Sequence, residues 1–116
     1  MTPPPLRVLL VEDDAAYAGL IDAELRGSSI ELSTVGTLAT SRAALAARSF
    51  DAVLLDLDLP DSSGVQTVAR MHETDATMPV VVLTSNGDEG LSALSMQHGA
   101  EDYLLKSEVD ARILVK

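Results

Sequence analysis

Five short apolar runs recur along the chain, and the stretches between them carry helical spacing. They are LRVLLV (Leu6 to Val11), Ile30 to Val35, AVLL running into Asp56, VVVL (Val80 to Leu83) and Asp102 to Leu105. Near-continuous apolar runs of this length are typical of strands buried on both faces, and VVVL, the most β-branched, is expected to be central. Between the runs, Asp14 can cap a helix from Ala15 to about Arg26 that ends near Gly27, with Tyr17, Leu20, Ile21 and Leu25 as its apolar stripe. Further helices are expected over Thr40 to Arg48 and Val65 to about Glu73. A fourth should open at Gly87 and Asp88, reach about His98 and close at Gly99. A short last one should run from Glu108 to Lys116. Such alternation predicts an α/β fold, a doubly wound five-stranded parallel sheet with helices on both faces. With 116 residues there is room for one such domain, with a radius of gyration of about 13 Å.

Composition narrows the function. The apolar share of 47% supports a real core, and a formal net charge of −10 repels phosphate backbones. Only three aromatics are present, so direct nucleic-acid binding through stacked bases is not expected. Without cysteine there is no disulfide framework, thiolate metal site or thiol nucleophile. No apolar run approaches the roughly 18 residues of a membrane helix, and the N-terminus lacks a signal-peptide pattern. A cytoplasmic domain behind a short leader, Thr2-Pro3-Pro4-Pro5, is the expectation.

In sheets of this type ligands bind beyond the carboxyl ends of the strands. Those ends carry Glu12-Asp13-Asp14, then Asp56-Leu57-Asp58, then Thr84-Ser85-Asn86, and finally Lys106, one of only two lysines. Asp14 is explained by helix capping alone. Glu12, Asp13 and Asp56 would crowd three like charges together unless a cation neutralised them. A hard divalent ion such as Mg²⁺ suits oxygen ligands and keeps open positions for a phosphorylated ligand. An aspartate can attack phosphorus, and charge on the transferring group could be met by the ion, by Lys106 and by the Thr84 hydroxyl. The four strand ends together describe a phosphoryl-accepting aspartate site. His72 and His98, late on helices, are expected to be structural, as are Met71, Met78 and Met96 as packing residues.

The pieces VLLVEDD (Val8 to Asp14), DAVLLDLDLPDSSG (Asp51 to Gly64), PVVVLTS (Pro79 to Ser85) and GAEDYLLK (Gly99 to Lys106) resemble the CheY-like receiver domains of two-component response regulators. The resemblance divides the chain into a leader, residues 1–5, and a receiver domain, residues 6–116. It implies a flavodoxin-like strand order of 2-1-3-4-5 with a short or truncated last helix. Asp56 would be the phosphoacceptor. Glu12, directly or through a water, Asp13, Asp56 and the Asp58 carbonyl would hold Mg²⁺. Lys106 would pair with the phosphoryl group, Thr84 would turn toward it and Tyr103 would swing inward. Asp58 and Asn86 would tune phosphoryl lifetime. A sensor histidine kinase, a phosphotransfer protein or a small phosphodonor would supply the group. The state would be read on the fourth helix, fifth strand and fifth helix, by an effector domain beyond Lys116 or by a partner protein, and a homodimer is compatible with a sheet face left partly bare. One departure is local: Ser107 follows Lys106 where the family commonly has proline and a cis bond. Cis before serine costs about 3–4 kcal/mol rather than about 1 or less, so either the loop differs or it holds a strained bond.

Two other classes stay open on sequence. Asp56-Leu57-Asp58 also resembles the DxD nucleophile motif of haloacid-dehalogenase-type phosphohydrolases, although that motif normally lies on the first strand of a much longer chain. The other is a binding module of the same fold that is never phosphorylated.

Overall fold

The computed structural model describes residues 4–85 and 89–108, with backbone alone for residues 89–92 and 108. Strand β1 (Leu6–Val11) is followed by α1 (Ala15–Leu25), β2 (Ile30–Val35), α2 (Leu38–Ala47) and β3 (Ala52–Asp56). A small antiparallel ribbon, Asp58–Leu59 against Ser62–Ser63, occupies the expected loop. Then come α3 (Gln66–Thr74), β4 (Val80–Thr84), α4 (Glu89–Gln97), β5 (Asp102–Leu105) and a 3₁₀ turn, Lys106–Glu108. The five main strands are all parallel, as the alternation predicts, in the order β2-β1-β3-β4-β5 that the resemblance implies. The radius of gyration is 13.3 Å.

Strand side chains alternate between faces, and both faces are packed, which explains the unbroken apolar runs. Leu9, Val11, Val53, Leu55, Val80 and Val82 meet Leu38 of α2 and Val68 and Met71 of α3 on one side. Val8, Leu10, Leu54 and Leu83 meet Ala18, Ile21 and Leu25 of α1 on the other. Beside α1, Leu6, Val8, Leu54, Val81 and Leu104 line a groove of about 300 Å³ near the strand starts.

Several local expectations are corrected. Leu20, expected in the apolar stripe of α1, is 63% exposed, because Ala18 takes the inward position with Ile21 and Leu25. Met96 is also exposed rather than packed, whereas Met71 is fully buried and Met78 packs against the core. Helix α2 begins two residues before Thr40. Thr37 caps it through a reciprocal side-chain pair with Thr40, and the Leu38 and Ala39 N–H groups donate to the Asp61 carboxylate at 2.9 and 3.0 Å. No cis peptide bond occurs among the described residues, so the Lys106–Ser107 bond is trans and the loop differs from the family pattern. Beyond the 3₁₀ turn the expected last helix lies outside the described residues, as do Asn86 and the Gly87-Asp88 helix opening.

Gly99 ends the α4 segment with φ +114°, a conformation that disfavours any side chain. A Cβ there would stand 2.6 Å from His72 Nδ1, so the His72 ring packs against the space that Gly99 leaves open. Gly99→Ala is therefore expected to destabilise the domain by about 1–3 kcal/mol, measured by urea unfolding with an unchanged m-value.

Candidate functional site

The carboxyl ends of β1, β3, β4 and β5 converge because the sheet is parallel and its register aligns them: Val11 pairs with Leu55, Asp56 with Leu83, and Thr84 with Leu105. Each of the first three strands hands over a polar residue as soon as its apolar run stops. The result is a cleft of about 300 Å³ whose lining includes Glu12, Asp13, Asp56, Asp58, Ser85 and Lys106.

Glu12, Asp13 and Asp56 bring carboxylate oxygens within 4.8 Å of one another. Glu12 and Asp56 are buried and Asp13 is exposed, so the cluster opens to solvent on one side. Glu12 Oε1 accepts the Asp14 N–H at 3.1 Å. Its Oε2 is buried with no hydrogen bond aligned on it, and the Lys106 ammonium stands 2.7 Å away as an ion-pair partner. Lys106 Nζ also lies 3.5 Å from Asp56 Oδ1. Three carboxylates thus cluster at a site whose one ammonium pairs with Glu12 and Asp56, and the buried Glu12 Oε2 has no aligned hydrogen bond. That donor set, all hard oxygens with an open side, fits a divalent cation.

Burial, and then the neighbouring Glu12 charge, push the Asp56 carboxyl up to about 6, against the opposing pull of Lys106 and of a hydrogen bond from the Asp58 N–H. For Lys106, burial works against the charged form, but Glu12 and Asp56 outweigh it and hold the ammonium above its ordinary value. A buried carboxylate held near neutrality beside a cation is a common signature of a reacting group.

The other predicted residues fall around this centre. Thr84 is buried at the end of β4, next to Ser85 in the cleft wall. Asp58 is exposed on the cleft rim. Tyr103, paired with Val82 in register, packs against the core on the α2 and α3 side. Asp14 is a helix cap, accepting from the Ala16 and Tyr17 N–H groups.

Three residues hold the site in ways that the sequence does not announce. Asp61 ties the loop after Asp56 to the start of α2, and its carboxyl is held below the usual range by the Leu38 and Ala39 N–H groups. Ser62, next in the chain, is buried and hydrogen-bonds Thr67 and Arg70 of α3. Tyr17, expected only in the apolar stripe of α1, donates its hydroxyl to the Lys106 carbonyl at 3.1 Å. No local signal marks Asp61 or Tyr17 for these roles, because their partners are 22 or more positions away.

The model of the response regulator receiver domain matches residues 8–116, nearly the whole chain. The chain belongs to this family. Receiver domains of two-component systems are phosphorylation-activated signalling switches, not metabolic enzymes. Among curated relatives, the chain is 35% identical over 100 residues to the DNA-binding response regulator MtrA of Mycobacterium tuberculosis, covering 86% of this chain and 43% of the relative. It is 34% identical over 97 residues to the regulatory protein LuxO of Vibrio cholerae, covering 84% of this chain and 21% of that protein. The chain therefore spans less than half the length of these relatives. The solved receiver domain of a LuxO-type repressor from Vibrio parahaemolyticus is similar in fold, with a TM-score of 0.84, 30% identity and coverage of 96% and 85%. The receiver domain of a sensor histidine kinase from Pseudomonas aeruginosa gives a TM-score of 0.81 at 26% identity, covering 96% and 93%, and that structure holds a magnesium ion in its active-site cleft.

Proposed function

We propose that this receiver accepts a phosphoryl group on Asp56. The observation that carries the reading is the pairing of a buried, raised-pKa Asp56 with Glu12, Asp13 and Lys106 in one open cleft. An Asp56 oxygen attacks phosphorus, an acyl phosphate forms, and the donor's bond to phosphorus breaks with its electron pair leaving on the donor. Glu12, Asp13 and Asp56 would hold Mg²⁺, with the Asp58 carbonyl as a further ligand. The ion would supply positive charge to the phosphoryl oxygens. Lys106 leaves Glu12 to meet another of those oxygens, and the Thr84 hydroxyl turns to a third. Tyr103 follows into the space that Thr84 vacates, which would change the face built from α4, β5 and the segment after Lys106. Asp58 and Asn86 would govern access of the water that removes the group. Any catalysis is of this domain's own phosphorylation and slow dephosphorylation.

The donor is a sensor histidine kinase, a phosphotransfer protein or a small phosphodonor. An effector beyond Lys116, or a separate protein, takes the signal. Residues 6–116 form the receiver unit behind a leader of residues 1–5. We place it in the cytoplasm, in keeping with the absence, among the described residues, of a helix long and apolar enough to cross a membrane.

Intact mass after incubation with acetyl phosphate tests the reading. One added phosphoryl group with Mg²⁺, and none without it, is the expected result. Steady release of phosphate from a small phosphate ester, with no stable adduct, would favour the phosphohydrolase instead. No adduct and no Mg²⁺ binding would make it a binding module.

A further inference from the structure

Lys106 sits on a flexible four-carbon stem, and its ammonium has two carboxylates to choose between. Its backbone lies in a 3₁₀ turn with a trans bond to Ser107, a residue that does not fix its own φ. Neither feature by itself aims the side chain. Tyr17, one turn into α1, touches Lys106 at both ends. Its hydroxyl donates to the Lys106 carbonyl at 3.1 Å, and its ring lies under the ammonium, with Nζ 4.8 Å from the centroid. That distance is within the range of a cation–π contact. Burial raises the phenol pKa, so the hydroxyl keeps the proton it donates.

We propose that Tyr17 is a positioning residue for Lys106, anchoring the turn after β5 through the Lys106 carbonyl and holding the ammonium over the cleft through its ring. The inference rests on the phosphoacceptor reading for its kinetic consequence. The aromatic face gives the ammonium a third partner, so Lys106 can release Glu12 without swinging into solvent. A tyrosine that served only as packing would be replaced by any apolar residue of similar size.

Tyr17→Phe removes the hydrogen bond and keeps the ring; Tyr17→Leu removes both. Two measurements read the outcome. The first is the proton shift of the Lys106 ε-methylene in the purified chain, which the ring displaces upfield; Lys116 is the only other lysine. The second is the concentration dependence of phosphorylation by acetyl phosphate at saturating Mg²⁺. Tyr17→Leu is expected to lose the upfield shift and to lower the maximal rate about tenfold, the effect of one lost polar contact on a barrier. The half-saturating Mg²⁺ concentration should stay within about twofold, since no metal ligand is altered. Tyr17→Phe is expected to keep the shift and to fall between the two in rate. A wild-type maximal rate in Tyr17→Leu would overturn the proposal. So would a loss of rate that is equal in both variants and tracks the fraction unfolded. If the wild type itself takes no phosphoryl group, the phosphoacceptor reading fails, and the ε-methylene shift still decides whether Tyr17 holds Lys106.

Discussion

Asp56→Asn is expected to take no phosphoryl group from acetyl phosphate and Mg²⁺, and yet to unfold at a higher temperature than the wild type when no divalent cation is present. The first half follows from chemistry: an amide is not a nucleophile toward phosphorus, and among the described residues no other carboxylate of the cleft is buried beside both Glu12 and Lys106. The second half follows from charge. Metal-free wild type must keep an ionised Asp56 buried beside Glu12, and its carboxyl is pushed up to about 6. A carboxyl whose folded pKa is raised binds more protons folded than unfolded, so stability falls as pH rises. From this group the extra stability is complete below about pH 4, its ordinary range, and is lost by the time pH passes about 6. Discounted for solvent on the open side, relief of this burial amounts to about 1–2 kcal/mol at pH 7. A rise in Tm of roughly 5 °C is the corresponding scale. The gain should vanish near pH 4, and saturating Mg²⁺ should raise the wild-type Tm more than the variant's. Equal Tm values at pH 7 without metal would show that Asp56 is not strained by its neighbours.

Lys106→Met works in the opposite direction. Methionine keeps much of the stem's volume but removes the only ammonium among the described residues that faces the cluster. Glu12 Oε2 then has neither a hydrogen bond nor an ion-pair partner. Breaking a buried pair by deleting one partner costs about 3–5 kcal/mol. The Lys106 side chain is 18% exposed, and Asp56 can take up a proton, so about 2–3 kcal/mol at pH 8 is expected. The sign with pH is set by the acids. Lysine's own folded pKa is raised, so its contribution is fully present below its ordinary value and adds no slope in the neutral range. Without it Asp56, whose carboxyl Lys106 now pulls downward, shifts further upward, so the deficit should shrink toward pH 5 and widen toward pH 8. Mg²⁺ should recover part of the loss by replacing the missing charge, while phosphorylation stays slow. Unfolding of Lys106→Met at the wild-type midpoint at pH 8, without metal, would mean that Lys106 does not neutralise the cluster.

Much of this was written in the linear chain. Five apolar runs announce five strands, since only strands packed on both faces need so little polar interruption. The residue types that follow Val11, Leu55, Leu83 and Leu105 announce the cleft, since a parallel sheet brings those ends to one edge. Hence Glu12, Asp13, Asp56 and Lys106 were legible as one constellation, and the family motifs add to the same residues.

The remainder depended on which distant parts touch. Leu20 and Ala18 both fit a helical stripe, and the face that α1 turns to the sheet buries Ala18 with Ile21 and Leu25 and leaves Leu20 exposed. Helix α2 starts at Leu38, where the local Thr37 cap is joined by Asp61, 23 residues on, which accepts its first N–H. Tyr17 meets Lys106 across 89 positions because α1 packs on the sheet face next to the end of β5. Periodicity and turn chemistry are local and survive in a one-dimensional reading. A contact between side chains far apart in sequence exists only once the crossovers have set the distance and angle between their elements, and in this molecule those contacts decide how Lys106 is aimed.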